Sequence, residues 1–338
     1  MNKNKIIVTG SAGFIGYSLC VKLLERGDNI IGIDNHNDYY DPKIKDARIE
    51  RLIKCPNYKH YHADLSDQNK INIIFKNHKP HKVVNLAAQA GVRYSIENPL
   101  VYIKSNIVGF AHILENCRQY KIEHLVYAST SSVYGANTKM PFSEHDSVNH
   151  QLSLYAASKK SNELMAHTYS TLYKLPTTGL RFFTVYGPWG RPDMALFKFT
   201  KLMIEGKEIE VFNHGKMIRD FTYIDDIIES LVRVINKKAK SDQSFDFIDP
   251  DPSTSWAPHR VLNIGNSNPT PLMDYIQAIE NELKITALKE YLPMQLGDVP
   301  ATAADTRKLG QWIDFKPQTK IEDGVKYFIN WYREFYKI

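Results

Sequence analysis

The chain has 338 residues, of which 43% are apolar and 24% charged, and its 43 basic residues exceed its 37 acidic ones to give a net charge of +6. This composition is ordinary for a globular protein and excludes the disordered and collagen-like classes, while the length suggests about two domains. No apolar run approaches the roughly 18 residues of a membrane span. The three cysteines are far apart and form no Cys-x-x-Cys pair, which excludes a disulfide framework and a thiolate metal site.

The first ten residues carry Lys3 and Lys5, but their apolar run stops at Val8 and is too short for the core of a signal peptide. Together with the scarcity of cysteine, this predicts a cytoplasmic protein with no membrane partner. The positive charge is compatible with an anionic ligand and equally with a solvated basic surface. The main basic cluster, Lys237–Lys240, is short and lacks interleaved aromatic residues, so we expect no nucleic-acid partner.

The first 180 residues alternate short β-branched runs with longer helical patterns. Four of the strand-like runs are nearly continuous apolar stretches, as expected of strands covered on both faces. The alternation predicts an α/β fold with a doubly wound parallel sheet of the Rossmann type, joined by right-handed crossovers. The expected strands are Lys5–Val8, Asn29–Ile33, Tyr58–His62, Lys82–Leu86, His124–Ala128 and Pro176–Arg181. The clearest helices between them are Phe14–Glu25 and Val108–Tyr120.

After residue 181 the rhythm loosens, and the turn-forming run Gly187–Pro192 is a plausible domain junction. We therefore expect a first domain over residues 1–180 and a smaller mixed α/β lobe over residues 181–338, with some segments returning to the first domain. Residues 240–259 show no periodicity, which predicts an exposed loop. The elements expected in the lobe are helices over Met194–Glu205, Asp225–Asn236, Leu272–Leu283 and Ile321–Tyr336 and a strand over Glu208–Phe212.

A glycine motif, Gly10-Ser-Ala-Gly13-Phe-Ile-Gly16, follows the first expected strand and opens the first helix. The glycines let the backbone turn tightly and approach a pyrophosphate, to which the helix N-terminus presents free N–H groups and a positive dipole end. The second strand leads into Asp34, whose carboxylate can accept hydrogen bonds from the adenosine ribose and would repel a 2′-phosphate. The pattern predicts NAD rather than NADP, although a glycine triplet alone can mark a mere tight turn.

Further candidates stand at the carboxyl ends of the expected strands, which line the cofactor crevice in such a sheet. His60, His62 and Asp64 alternate on one strand face and offer a metal site as an alternative, but no fourth ligand is apparent. The residues expected to contact NAD are Gly10, Ala12, Gly13, Phe14, Ile15, Gly16, Asp34, Asn35, Asp64, Leu65, Leu86, Ala87, Ala88, Asn106, Tyr155 and Lys159.

The candidate catalytic pair is Tyr155 and Lys159, whose four-residue spacing sets both side chains on one helix face, one turn apart. A nearby ammonium favours phenolate and would lower the pKa of Tyr155, which makes this residue a candidate general base. Upstream, the hydroxyl run Ser129–Ser132 leaves the end of a buried strand and can bind a reacting alcohol. A chance Tyr–Lys pair and an ordinary Ser/Thr turn are the alternatives.

Taken together, the glycine motif, Asp34, the hydroxyl run and Tyr155-x-x-x-Lys159 resemble the extended short-chain dehydrogenase/reductases, and more narrowly the NAD-dependent nucleotide-sugar epimerases. The resemblance covers nearly the whole chain. The stretches that look most like UDP-glucuronate 4-epimerases are Asn85–Ser95, Arg181–Ala195 and Arg219–Asp226.

The resemblance implies an isomerase that interconverts UDP-glucuronate and UDP-galacturonate. In such an enzyme, Thr130 would stand beside the base, and Tyr155 would take the 4-hydroxyl proton while NAD accepts the C4 hydride. The 4-keto sugar then turns over before hydride returns to its other face, so binding energy must come from the non-reacting UDP. Epimerisation of UDP-glucose or UDP-N-acetylglucosamine is the alternative reaction, and a nucleotide-sensing Rossmann protein is the non-enzyme alternative.

The sugar specificity is expected to depend on Ser131 and Ser132, where related dehydratases and decarboxylases carry carboxylates. Neutral hydroxyls can donate to a C6 carboxylate, and Arg191, or alternatively Arg93, would complement its charge. Arg219 is the candidate diphosphate clamp, because a guanidinium fork fits phosphate oxygens. The residues expected to bind substrate are Arg93, Thr130, Ser131, Ser132, Thr184, Arg191, Val211, Phe212, Arg219 and Asp298.

The resemblance also implies a homodimer whose subunits pair through two helices each, Pro99–Gln119 and Tyr155–Tyr173. The second helix carries more apolar residues on or near one side than a single core-facing stripe requires. These residues are Leu164, Met165, Tyr169 and Leu172.

Overall fold

The structure is a computed structural model that describes residues 4–295 and 297–338, so Met1–Lys3, the start of the segment weighed as a signal peptide, lies outside the described residues. The strands are β1 (Lys5–Thr9), β2 (Asn29–Asp34), β3 (Tyr58–His62), β4 (Lys82–Asn85), β5 (His124–Thr130), β6 (Thr177–Phe182), β7 (Thr184–Tyr186), β8 (Ile209–Val211), β9 (Ile218–Tyr223), β10 (His259–Ile264), β11 (Pro269–Pro271) and β12 (Lys289–Tyr291).

The α-helices are α1 (Phe14–Glu25), α2 (Pro42–Leu52), α3 (Gln68–His78), α4 (Tyr94–Glu97), α5 (Pro99–Tyr102), α6 (Gly109–Gln119), α7 (Leu154–Tyr173), α8 (Ala195–Ile204), α9 (Ile224–Asn236), α10 (Leu272–Leu283), α11 (Arg307–Ile313) and α12 (Ile321–Tyr336). A π-helical turn over Ile103–Val108 joins α5 to α6. No helix in the described ranges is long and apolar enough to cross a lipid bilayer.

The main sheet has seven parallel strands in the part of the chain that the structure describes, in the order β10-β6-β5-β4-β1-β2-β3. The strand order reverses between β1 and β4, which is where open α/β sheets bind ligands beyond the carboxyl ends of their strands. Val8 of β1 pairs with Gly32 of β2 on one side and Val84 of β4 on the other. Helices cover both faces, so the doubly wound sheet expected from the sequence is confirmed.

The second half of the chain adds two small sheets, one with the order β11-β9-β7 and the other pairing β12 with β8. A single hydrophobic core joins these to the main sheet, since Val84 and Leu180 belong to the same buried cluster as Ile227 and Phe328. Helices α9 and α12 each carry a stripe of apolar side chains. These stripes join the second half of the chain to the main sheet, because each helix must bury its stripe against a neighbouring element.

Some element bounds differ from expectation. The helix expected to begin at Val108 begins at Gly109 after the π-helical turn, and the strand expected over Glu208–Phe212 is shorter, at Ile209–Val211. The loop expected to run to residue 259 ends one residue earlier, because His259 begins β10. This strand returns to the main sheet and pairs with β6, with Leu262 beside Leu180.

Candidate active site

The turn between β1 and α1 forms a cradle in which side chains would not fit. Gly10 has a φ of +71°, and a Cβ atom on it would lie 2.8 Å from the Ala87 amide nitrogen; a Cβ atom on Gly16 would collide with the Gly10 carbonyl oxygen. Helix α1 begins at Phe14, and no side chain in the described ranges caps its first turn. Its free N–H groups can therefore bind an anion that approaches the bare backbone.

Asp34 ends β2 at the edge of this cradle. One of its carboxylate oxygens accepts a hydrogen bond from the Ala12 amide at 3.0 Å, and the other accepts one from the His36 amide at 2.9 Å. The buried carboxylate is thus fixed in orientation by the backbone on both sides. This is the position from which an acid can reach the ribose hydroxyls of a dinucleotide.

Asp64 stands next to Asp34, after β3. Its oxygens accept hydrogen bonds from the side-chain Nδ2 of Asn35 at 3.0 Å, from the Ser66 hydroxyl at 2.7 Å and from the Ser66 backbone amide at 2.8 Å. Burial alone would raise the pKa of Asp64, but these hydrogen bonds hold it below its usual range. The ring of His60 contacts His36, with 2.9 Å between their Nε2 atoms. Residues 4–295 and 297–338 contain no cluster of three or more His, Cys, Asp or Glu side chains that could hold a metal ion.

A cavity of about 1050 Å³ extends from the glycine cradle across the carboxyl ends of the strands. The cradle, the oriented Asp34 carboxylate and the volume fit a dinucleotide. Two residues expected to contact NAD are buried and lie outside the cavity lining: Ala12, which holds Asp34, and Asn106, which binds the Gln89 backbone and the Ser158 hydroxyl at 2.8–3.0 Å. The remaining expected contacts line the cavity: Gly10, Gly13, Phe14, Ile15, Gly16, Asp34, Asn35, Asp64, Leu65, Leu86, Ala87, Ala88, Tyr155 and Lys159.

Tyr155 lies in the first turn of α7, whose N-terminus is capped by the Ser153 hydroxyl. The hydroxyl of Thr130, the last residue of β5, acts on the Tyr155 phenol and opposes the rise of its pKa. Thr130 in turn accepts a hydrogen bond from the Ser132 amide at 3.2 Å. The strand end and the helix start therefore place hydroxyl groups together at one end of the cavity.

Lys159 is not among the groups that lower the pKa of Tyr155, contrary to the expectation from their spacing. Burial raises the pKa of Tyr155, and the influences that oppose this rise are the Thr130 hydroxyl and the positive charge of Arg191. The Lys159 ammonium donates to the Ala128 carbonyl at 2.9 Å, and burial lowers the pKa of Lys159 to about 8. Helical spacing sets two side chains on one face but does not determine where the longer one ends.

A buried ion pair, which the sequence did not predict, lies one turn further along α7. The Glu163 carboxylate accepts hydrogen bonds from Arg181 at 2.9 and 3.0 Å and from the Ser129 hydroxyl at 2.7 Å. It therefore ties α7 to both β5 and β6. The one signal in the sequence is the four-residue step from Lys159 to Glu163, which continues the catalytic helix face.

The residues expected to bind substrate line the same cavity, with one exception. The side chain of Val211 is fully buried in the hydrophobic core, so that only its neighbour Phe212 reaches the cavity. The end of the strand explains this, since β8 ends at the buried Val211 and Phe212 begins the turn that follows. The others that line the cavity are Arg93, Thr130, Ser131, Ser132, Thr184, Arg191, Phe212, Arg219 and Asp298.

Arg93 and Arg191, the two candidates for binding the sugar carboxylate, lie in different surroundings. Arg93 packs over the Phe212 ring at 5.1 Å and faces Asp298, which also accepts a hydrogen bond from Arg219 at 2.8 Å. Arg191 instead pairs with Asp193 and carries a charge that acts on Tyr155. The structure thus groups Arg93 with Arg219, and Arg191 with Asp193 and Tyr39.

A dinucleotide cradle and a tyrosine–threonine pair that open onto one cavity define an NAD-dependent enzyme acting on an alcohol carbon. The chain belongs to the NAD dependent epimerase/dehydratase family, whose model matches residues 6–248. The expected class of enzyme and the expected cofactor, NAD, are thereby confirmed.

Individual relatives span the whole chain. The chain is 56% identical to the protein CapI of Staphylococcus aureus, over 98% of this chain and 99% of that protein. It is 43% identical to a probable UDP-glucuronate 4-epimerase of Rhizobium meliloti, over 98% of each. The crystal structure of the UDP-glucuronic acid 4-epimerase from Bacillus cereus in complex with UDP-glucuronic acid and NAD is similar with a TM-score of 0.87 at 30% identity, covering 98% of this chain and 100% of that chain.

Proposed function

We propose that this protein is a UDP-glucuronate 4-epimerase, which interconverts UDP-glucuronate and UDP-galacturonate. The observation that carries the proposal is Arg191, whose charge acts on Tyr155 in a cavity where Ser131 and Ser132 present hydroxyls. A cation and neutral donors beside the base suit a C6 carboxylate, which an acidic side chain would repel. The similarity to the Rhizobium and Bacillus proteins supports the same reading.

In this proposal the catalytic residues are Thr130, Tyr155 and Lys159. Tyr155 takes the proton of the sugar 4-hydroxyl and returns it to the same oxygen after the sugar has turned. Thr130, which lines the same cavity as Tyr155, holds that oxygen in line, and Lys159 binds the nicotinamide ribose. Bound NAD supplies the acceptor, and later the donor, of the C4 hydride.

The non-reacting UDP provides the binding energy, because the sugar itself has to stay mobile. Arg219 and Arg93 bind the diphosphate, Phe212 packs on the uracil, and Asp298 reaches the uridine ribose. We assign the cofactor to residues 1–180 and the nucleotide sugar mainly to residues 181–338. Among the observations that support this division, Arg219 and Phe212 both line the cavity from the lobe side.

We also propose that the protein is a cytoplasmic homodimer that pairs through residues 99–119 and α7. Apolar side chains exposed there support this: Leu100 is 78% exposed, Leu164 is 60% and Leu172 is 63%. Met165 and Tyr169, expected on the same side, pack against the core instead. The three cysteines are free thiols, which is in keeping with a reducing compartment.

NMR of the products formed from UDP-glucuronate tests the proposed reaction. We expect signals of UDP-galacturonate and no release of carbon dioxide. Parallel incubations with UDP-glucose and UDP-N-acetylglucosamine test the alternative substrates. Turnover of either neutral sugar without a galacturonate signal would contradict the proposal.

A further inference from the structure

The Arg-Pro-Asp turn at residues 191–193 folds an ion pair onto the wall of the cavity. Arg191 donates from Nε to one Asp193 carboxylate oxygen at 3.0 Å and from Nη2 to the other at 2.6 Å. The two side chains remain 23% and 30% exposed, so the pair faces the cavity rather than the core. Only Pro192 separates them, and its ring restricts the backbone that sets their spacing.

Tyr39, from the segment after β2, lies beside the Arg191–Asp193 ion pair. Its ring lies 5.7 Å from the Arg191 guanidinium carbon, and its hydroxyl helps to lower the pKa of Asp193. Burial would raise the pKa of Asp193, but the Arg191 charge, its hydrogen bonds and the Tyr39 hydroxyl hold the pKa below its usual range. Asp193 is therefore a carboxylate at neutral pH and keeps Arg191 fixed.

The pair leaves part of the guanidinium available. A guanidinium has five N–H donors, and Asp193 engages only the edge formed by Nε and Nη2. Among residues 4–295 and 297–338, Nη1 has no hydrogen-bond partner. A sugar carboxylate can accept from this end while Asp193 holds the opposite edge, but it meets a cation whose charge is already balanced.

We infer that Asp193 is a positioning residue that weakens the attraction of Arg191 for the sugar carboxylate enough for the 4-keto sugar to turn within the site. The inference rests on the proposed function, since only a uronate substrate carries this carboxylate. An arginine without Asp193 would bind the sugar acid more tightly in each orientation. An arginine–carboxylate interaction that is equally strong before and after the sugar turns must be broken for the sugar to turn. Such an interaction adds nothing to catalysis.

The test compares Asp193→Asn with the wild-type holoenzyme. We expect the KM for UDP-glucuronate to fall by about fivefold, because a partly exposed charge pair is worth about that factor. We expect kcat to fall by a similar factor, since the turn becomes slower. In a Tyr155→Phe background, which isolates binding, calorimetry with UDP-glucuronate should show the same tightening, and calorimetry with UDP should show none.

The matched control is Asp305→Asn. Asp305 pairs with Arg307 in the same two-residue geometry, at 2.9 and 2.6 Å, away from the cavity, so both kinetic constants should stay unchanged. A second variant, Asp193→Ser, removes the charge with different packing and should behave like Asp193→Asn even if one of the two folds poorly.

Weaker binding of UDP-glucuronate, equal changes for UDP and UDP-glucuronate, or tighter binding at an unchanged kcat would each overturn the inference. These outcomes differ from a failure of the proposed function, in which the wild-type enzyme itself yields no galacturonate.

Discussion

Opposing influences determine the pKa of Tyr155. Burial raises the pKa of its phenol, while the Thr130 hydroxyl and the charge of Arg191 lower it. A base needs these effects to balance near the working pH, since proton transfer is most effective there. The chemistry of the site therefore depends on side chains from the end of β5 and from the Arg-Pro-Asp turn as well as on the helix that carries the tyrosine.

Replacing Tyr155 by Phe removes the proton-transfer group and keeps the ring. We expect kcat to fall by at least about 10²-fold, the usual contribution of general acid–base catalysis, while NAD and UDP-glucuronate remain bound. Steady-state kinetics and calorimetry measure the two effects. Tyr94→Phe, a tyrosine near the cavity but outside its lining, serves as the control and should keep nearly full turnover. Turnover of the Tyr155→Phe enzyme close to the wild-type level would exclude Tyr155 as the base.

Individual site residues can be placed from the sequence where a backbone motif determines the position. Gly10, Gly16 and Asp34 all line the cavity where the spacing of strand, turn and helix predicts. Val211 and Asn106 lie outside the cavity lining, because membership of a segment does not decide which face a side chain takes. Asp193 was missed for a further reason: its partner Arg191 was considered for its charge alone, and a pairing across one proline is visible only in the fold.

The first turn of α1 depends on glycine more strictly than the rest of the helix. A methyl group at Gly16 would collide with the Gly10 carbonyl, so either the turn or the helix must shift. We expect Gly16→Ala to lower the NAD retained after purification by about tenfold or more, since displacement of the amides weakens pyrophosphate binding. Ultraviolet absorbance of extracted nucleotide measures this. Lys22→Ala, on the exposed side of the same helix, should retain wild-type amounts.

Helix α7 carries Tyr155, Lys159 and Glu163 at successive turns of one face. Burial alone would raise the pKa of Glu163, but Arg181 outweighs burial and lowers it to about 2, below the usual 4.5. A lowered pKa in the folded state means that the charged pair stabilises the fold above about pH 4.5. That stability is lost as the pH falls towards 2.

Glu163→Gln leaves Arg181 buried without its counter-charge. We expect this variant to lose about 3–5 kcal/mol of unfolding free energy at pH 7. Its stability should also change less than that of the wild type between pH 5 and pH 2, as measured by urea denaturation. Glu229→Gln breaks the exposed pair with Arg233 on α9 and should cost less than about 1 kcal/mol. Equal losses in both variants would contradict a special role for the buried pair.

The order of elements could be predicted as far as local patterns extend. Phe14–Glu25, Leu272–Leu283 and Ile321–Tyr336 were predicted with the bounds that the structure has, because apolar residues recur along each at helical spacing. The sequence did not show which segment of the lobe returns to the main sheet; in the structure it is β10. It pairs with a strand far earlier in the chain, and a six-residue run carries no sign of which edge it will join.

At the scale of the whole molecule, the apolar surface of residues 99–119 and α7 is the basis of the proposed dimer. Leu164→Glu places a charge on that surface, and we expect a dimer-to-monomer change at micromolar concentration in analytical ultracentrifugation. Ile73→Glu alters a residue of similar exposure, 56% against 60%, on the separate helix α3 and should leave the mass unchanged. A wild-type protein that sediments as a monomer would refute the proposed dimer.

The position of β10 affects the order in which the protein can be assembled during synthesis. Until His259–Ile264 leaves the ribosome, β6 is an edge strand whose outer hydrogen-bonding groups have no strand beside them. Unpaired edges recruit other chains, and a nascent domain is exposed to this risk for as long as the edge stays open. The seven-stranded sheet of this protein is therefore complete only after residues 181–264, the first half of the lobe, have been translated.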